Sequence, residues 1–164
     1  MSDTISLDGL LDQERRLVFP VFDNGTAVDL GLFGLAIARE RALPIVLDIT
    51  RNRQQLFHAA LPGTSPDNDQ WVARKTAVVY RFGHSSFYMG VSTPEGGPAF
   101  HERYMLDPKE YAAYGGSFPI VVDGTGPVGT MTVSGLPQQA DHELVVELIG
   151  LFLGQRFGRT SEPG

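Results

Sequence analysis

Two stretches of this sequence fold back on themselves, and they limit the architecture more than anything else in it. Ile45-Val46-Leu47-Asp48-Ile49-Thr50 alternates as a strand, with Ile45, Leu47 and Ile49 on one side. After the turn Arg51-Asn52-Arg53-Gln54, Gln55 to Ala60 returns as its partner. Phe118 to Val122 and Val128 to Ser134 flank Asp123-Gly124-Thr125-Gly126 in the same way, with Met131 and Val133 facing one side and Thr130 and Thr132 the other. Hairpins pair antiparallel, so the segments between them must cover a sheet.

Those segments read as helices. Ser6 to Arg16 is a short one, followed by the strand-like run Leu17 to Phe22, whose Pro20 marks an edge or a strand end. Thr26 to Arg41 carries small residues (Ala27, Gly31, Gly34, Ala36, Ala38) that suit close packing on a sheet, and Pro44 stops it. A helix from about Asp67 to Phe87 opens with Ser65 or Asp67 as cap and Pro66 in its first turn. Pro94 to Pro98 is a break. Asp107-Pro108 opens a short helix that Gly115-Gly116 closes. Ser134-Gly135 ends the last strand, and a final helix runs from near Asp141 to Phe157, with Arg159 to Gly164 as a disordered tail. The order α-β-α-β-β-α-α-β-β-α predicts an α/β (α+β) fold, a central antiparallel five-stranded sheet flanked by helices, in one domain over residues 1–164.

Composition supports this and excludes some functions. The 164 residues are 42% apolar and 20% charged, enough for a core. A formal net charge of −6 and scattered basic residues argue against nucleic-acid binding. There is no cysteine, hence no disulfide or thiolate chemistry. The first residues carry acids rather than a basic stretch before an apolar one, unlike a signal peptide. The most apolar run, Leu144 to Leu153, contains Glu147 and is far shorter than the roughly 20 residues of a membrane span. The expectation is a cytoplasmic protein that contacts neither membrane nor nucleic acid.

That same run predicts self-association. Glu143, Glu147, Gly150 and Gly154 form one narrow polar or small stripe, and apolar side chains fill the rest of the helix. A helix apolar over so much of its circumference is buried on more than one side. One side should meet the sheet, and the other a second copy of the chain.

Several residues could carry chemistry. Trp71, Lys75, Val78 and Phe82 share one helical column, so Lys75 sits among apolar neighbours. Such a lysine commonly snorkels to water. Otherwise it meets an anion or serves as an acid or base. Lys75→Met should then keep the fold while weakening ligand binding. His84-Ser85-Ser86 hints at a nucleophile and base, but neighbours on a helix do not face each other and no G-x-S-x-G elbow is present. His58, His84, His101 and His142 show no zinc spacing, so no metal site is predicted. Tyr111, Tyr114, Gly115 and Gly116 form a glycine platform or simply a helix end. Ser134-Gly135, with Asp141 and His142 beyond it, suits an anion at a helix start, or a plain cap.

Phe22-Asp23-Asn24, Leu30-Gly31, Pro44-Ile45, Asn68 with Trp71 and Arg74-Lys75, and Ser85-Ser86 combine with Gly115-Gly116-Ser117-Phe118-Pro119-Ile120, Gly129, Ser134-Gly135-Leu136-Pro137 and Asp141-His142. Across about residues 17 to 157 this set resembles the haem-degrading-domain superfamily, also called HbpS-like or GlcG-like, in its uncharacterised-protein-family (UPF) branch. The resemblance implies a profilin-like fold and a homo-oligomer. It also implies, at the level of the superfamily, haem or a corrinoid-type cofactor. No haem-ligating motif can be matched position by position.

The leading functional reading is an oligomeric small-molecule-binding domain for haem or another planar anionic ligand. Asn68, Trp71, Lys75 and His84 would form one wall and Tyr111, Gly116, Ser134 and His142 the other. One alternative is an enzyme acting on a small polar substrate with Lys75 or His84 as acid/base. Another is an assembly or chaperone-like protein without a ligand.

Overall fold

The computed structural model describes residues 5–94 and 97–158. The expected tail, the first four residues and Glu95-Gly96 of the Pro94–Pro98 break lie outside the described residues. The elements are α1 (Leu7–Arg16), β1 (Val18–Phe19), α2 (Asn24–Glu40), β2 (Val46–Arg51), β3 (Gln54–Ala60), α3 (Pro66–Phe82), α4 (Ser86–Val91), α5 (Gly97–Tyr104), β4 (Ser117–Val122), β5 (Gly126–Ser134) and α6 (Gln138–Phe157).

Five strands form one sheet in the order β1-β4-β5-β2-β3. Both expected hairpins are present, and β2 pairs with β5 to join them, Leu47 opposite Val133 and Ile49 opposite Met131. The antiparallel pattern holds for four strands. The two-residue β1 instead lies parallel to β4, and it stops at Phe19 just before Pro20, which has no N–H for a ladder.

The alternation sorts the two faces by chemistry. α2 and α6 cover the face of Leu47, Ile49, Met131 and Val133, with Leu148 of α6 meeting Leu47 and Met131 around Gly34. α3 covers the other face, and the threonines there are as buried as the apolar residues. Their hydroxyls are paired: Thr50 with Tyr80 at 2.6 Å and Thr130 at 2.7 Å, and Thr132 with Ser117 at 2.8 Å and Thr76 at 3.0 Å. An unpaired buried hydroxyl would cost about 1–3 kcal/mol, so this polar layer fixes how α3 sits on the sheet.

The helices depart from the sequence reading at several points. α3 ends at Phe82, not Phe87, because Gly83 adopts φ +70° and its N–H caps Val79 O. A separate α4 follows, opened by Ser85, whose side chain accepts from Tyr88 N. The helix expected from Asp107 is a turn, in which Asp107 Oδ1 takes Lys109 N–H at 2.8 Å and competes with helical bonding. α5 was not anticipated. α6 begins at Gln138, three residues before Asp141.

The wide apolar surface of α6 is largely covered within the chain. Leu144, Val145, Leu148, Ile149, Phe152 and Leu153 are buried against the sheet, α2 and α4, and Gly150 is buried with them. Leu151 is the exposed exception at 47%. Glu147 of the polar stripe pairs with Arg41 beyond the C-terminal end of α2 at 2.6 Å. The apolar girth of α6 therefore reflects burial on several sides by its own chain, so it does not by itself call for a second copy along Leu144 to Leu153.

Candidate functional site

A cleft of about 240 Å³ opens where the start of α3, the end of β5 and the first turn of α6 converge. Four of the eight residues singled out from sequence line it: Asn68, Trp71, Lys75 and Ser134. Asn68 Oδ1 accepts from Ser65 N–H at 2.9 Å, which closes the N-terminus of α3 and fixes the rim. Trp71 meets Tyr114 edge to face at 5.6 Å between centroids, and the Arg74 guanidinium lies 4.3 Å over the indole.

Lys75 does not snorkel. It is 3% exposed, and Nζ donates to Asp141 Oδ2 at 3.1 Å and to Val133 O at 3.4 Å. Asp141 is 1% exposed, and its other oxygen accepts Leu136 N–H at 2.9 Å. The backbone bend thus pins the carboxylate, and the carboxylate holds the amine at the cleft floor. Burial pushes the Lys75 amine below its usual range and the Asp141 carboxyl above its own, with the mutual attraction opposing both shifts.

Gly116 belongs to the same floor. It has φ +139°, and a Cβ there would lie 2.3 Å from Val133 O and 2.8 Å from Lys75 Nζ. Only glycine keeps this backbone and leaves room for the amine. Ser134-Gly135 forms the far wall, where Gly135 passes so close to Pro44 O that a side chain would collide with it. Neither Ser134 nor Asp141 caps α6. Asp141 instead braces the bend before it.

The other three candidates lie elsewhere. His84 bonds Glu14 of α1 at 2.8 Å. Tyr111 packs on a second core of Val78, Met89, Phe100 and Ala113, and its carbonyl pairs with His101 at 2.6 Å. His142 is 1% exposed, stacked on Phe87 with Nε2 on Gln13 Oε1 at 2.8 Å. Burial pulls its pKa down to about 4. Ser85 and Ser86 are occupied as a helix cap and as a partner of the Ser117 backbone, so no nucleophile–base pair forms around His84.

The two walls drawn from sequence omit Tyr114, Gly135, Leu136, Gln138 and Asp141, although Tyr114, Gly135 and Asp141 stand among the stretches weighed for a ligand. Asp141 has a legible signal, since it is an acid just beyond the Ser134-Gly135 bend where the last helix opens. Gln138, whose Oε1 accepts Gly115 N–H at 3.1 Å, had none.

A sheet covered by helices on both faces, with a polar cleft at the end of its central strand, defines an α/β (α+β) domain. A family model described as "Haem degrading protein HbpS-like" matches residues 22–149. The chain belongs to this HbpS-like family, in the branch of the UPF0303 proteins. It is similar to a UPF0303 protein of Streptomyces coelicolor, 54% identical over 146 residues and covering 89% of this chain and 92% of that protein. The crystal structure of Ybr137w protein superposes with a TM-score of 0.86 at 34% identity, covering 94% of this chain and 91% of the other. The crystal structure of HbpS shares the fold at a TM-score of 0.62 and 17% identity, covering 81% and 90%.

Proposed function

We propose that this protein is a small-molecule-binding domain whose ligand lies in the cleft between Trp71, Lys75 and Ser134. The observation that carries the reading is the buried Lys75–Asp141 pair on the cleft floor. Burying two charges costs several kcal/mol per ion before their attraction is counted, and apolar residues of similar size serve stability as well or better. The pair is better explained by what it can meet. An ammonium has three donors, Asp141 and Val133 take two, and an acceptor on a ligand can take the third from the cleft. Trp71 and Tyr114 offer a flat flank, and the Arg74 guanidinium stacked on the indole adds a cation beside it. The ligand is therefore small and flat, with an anionic edge.

Haem, which the family description names, does not fit this cleft. No histidine lines it, and its volume of about 240 Å³ lies below the ~300–1,000 Å³ of sites that enclose drug-sized ligands. The enzyme alternative keeps Lys75 but loses His84, which faces α1.

Two further parts of the proposal concern setting. The protein works in the cytoplasm as a single domain, a reading supported by the lack of cysteine and by the one sheet. Among the described residues no helix is long and apolar enough to cross a membrane. It also self-associates, through exposed apolar side chains of α2 and α6 (Val28, Leu32 and Leu151) rather than through the buried length of α6.

Trp71 is the sole tryptophan, so its fluorescence reports the cleft directly. Titration with nicotinate, a small planar carboxylate, should give a saturable change that Ser134→Leu removes by filling the cleft. Haemin should give no Soret change that Ser134→Leu abolishes. No saturable response to nicotinate or comparable aromatic carboxylates up to millimolar concentration would remove the reading.

A further inference from the structure

The floor of the cleft holds an amine beside a carboxyl group, and both are almost wholly shielded from water. Four features set this amine apart. The sequence has two lysines, Lys75 and Lys109, and Lys109 is exposed. Asp141 is held by Leu136 N–H through one oxygen, which leaves Oδ2 aimed at Nζ at 3.1 Å. Gly116 withholds a Cβ that would come within 2.8 Å of Nζ. The flank of the cleft is aromatic, formed by Trp71 and Tyr114. A guanidinium would satisfy a carboxylate with two parallel bonds and is never deprotonated. A lysine in this position can give up its proton and use its lone pair.

We propose that Lys75 is an amine nucleophile that captures a small aldehyde or α-keto acid in the cleft as an imine, with Asp141 carrying the protons. The proposal rests on the binding reading above and names the ligand class for the same site. The proton first passes from Nζ to Oδ2 across the hydrogen bond, leaving a neutral pair. Burial moves both groups toward that state. The Nζ lone pair then forms a bond to the carbonyl carbon, and the carbonyl π pair moves to oxygen, which takes the proton from Asp141. The nitrogen returns a proton to Asp141, giving a neutral carbinolamine. Asp141 protonates the hydroxyl, water leaves, and the nitrogen lone pair closes the C=N bond. The net change is amine, carbonyl and one proton to iminium and water, with Asp141 ionised beside the iminium. No oxidant or reductant is consumed. The narrow cleft favours a carbonyl compound of few atoms, and the Arg74 guanidinium stacked on Trp71 favours one bearing a carboxylate.

The test is reductive trapping. The protein is incubated at neutral pH with glyoxylate and sodium cyanoborohydride, and modified lysines are located by peptide mass mapping. Lys75 should be alkylated at least about tenfold faster than Lys109, because Asp141 stands 3.1 Å from its Nζ to take and return the protons, and exposed Lys109 has no such cleft around it. Lys75→Arg, which keeps the positive charge, should lose the adduct and leave Lys109 labelling unchanged. Lys109 reacting as fast as Lys75, or no adduct at Lys75, overturns the proposal. Trp71 fluorescence with glyoxylate and no reductant separates the two levels of argument. Saturable binding without trapping at Lys75 overturns imine formation and leaves the binding site standing. Neither binding nor trapping overturns both.

Discussion

His142 has a buried Nδ1 without a hydrogen-bond partner among the described residues. Its Nε2 faces an acceptor, the Gln13 amide oxygen, so Nε2 carries the hydrogen and Nδ1 is a bare lone pair against Phe87 and Phe118. Protonation there would place a charge among aromatic rings, which is why the pKa falls from 6.5 to about 4. The sign of the linkage follows. Between about pH 6.5 and 4 the unfolded chain binds a proton at this residue and the folded chain does not. Stability is therefore full above the unfolded value, declines as pH falls through this window, and loses no more once the folded form protonates. The whole decrement is about 3 kcal/mol. Urea unfolding at pH 7, 5.5 and 4.5 should show this slope, and His142→Leu should flatten it. An unchanged slope in the variant would assign the acid sensitivity elsewhere. The cleft asks for a different kind of residue-level care. Lys75, Asp141 and Gly116 each look tolerable alone, and each is constrained by the other two.

At the level of elements, Lys75–Asp141 ties α3 to α6 across the end of β5. This changes what Lys75→Met should do. From sequence, methionine preserves an apolar stem and leaves the fold intact. In the structure it strands Asp141 in a buried site, a loss of about 3–5 kcal/mol if the carboxylate stays ionised and less if it takes up a proton. Asp141→Leu alone should be similarly harmful. The double variant Lys75→Met/Asp141→Leu should recover most of the loss, since no buried charge remains. Chemical denaturation of the four proteins gives the cycle, and additive losses in the double variant would mean the pair is not coupled. The hydroxyl layer under α3 supplies the precision this tie needs. An all-apolar interface would let α3 slide, whereas paired threonines on β2 and β5 accept one position of Thr76 and Tyr80.

For the whole molecule, the open question is what the exposed apolar side chains do. Leu32 on α2 is 55% exposed and Leu151 on α6 is 47% exposed, while the other apolar side chains of α6 are buried or, at Val146 and Phe157, half-buried. Single exposed leucines are ordinary, but exposed residues on neighbouring helices offer a second copy a place to pack. Light scattering at micromolar concentration should find an oligomer, and Leu32→Glu with Leu151→Glu should dissociate it without unfolding. A monomeric wild type would end the proposal. Gly150→Leu should destabilise the monomer rather than act at a subunit contact, because Gly150 is buried within the chain.

The sequence by itself determined most of the architecture, because the signals for it are local. Period-two alternation around two turns predicts both hairpins, and small residues along α2 predict its contact with a sheet. The same local signals place Asn68, Trp71 and Lys75 along one helix, and the α3 wall of the cleft is legible as a result. Tertiary structure decided everything that depends on distant segments meeting. Whether Lys75 reaches water or a carboxylate depends on where β5 delivers Asp141, 66 residues further along the chain. Whether α6 is covered by a partner or by its own chain depends on the paths of α2 and α4. The fates of His84 and His142, drawn to Glu14 and Gln13, depend on where α1 docks. Hydrophobic periodicity reports which face of an element is buried, but not by what. A pair of opposite charges has no pattern in sequence until the fold brings the two together.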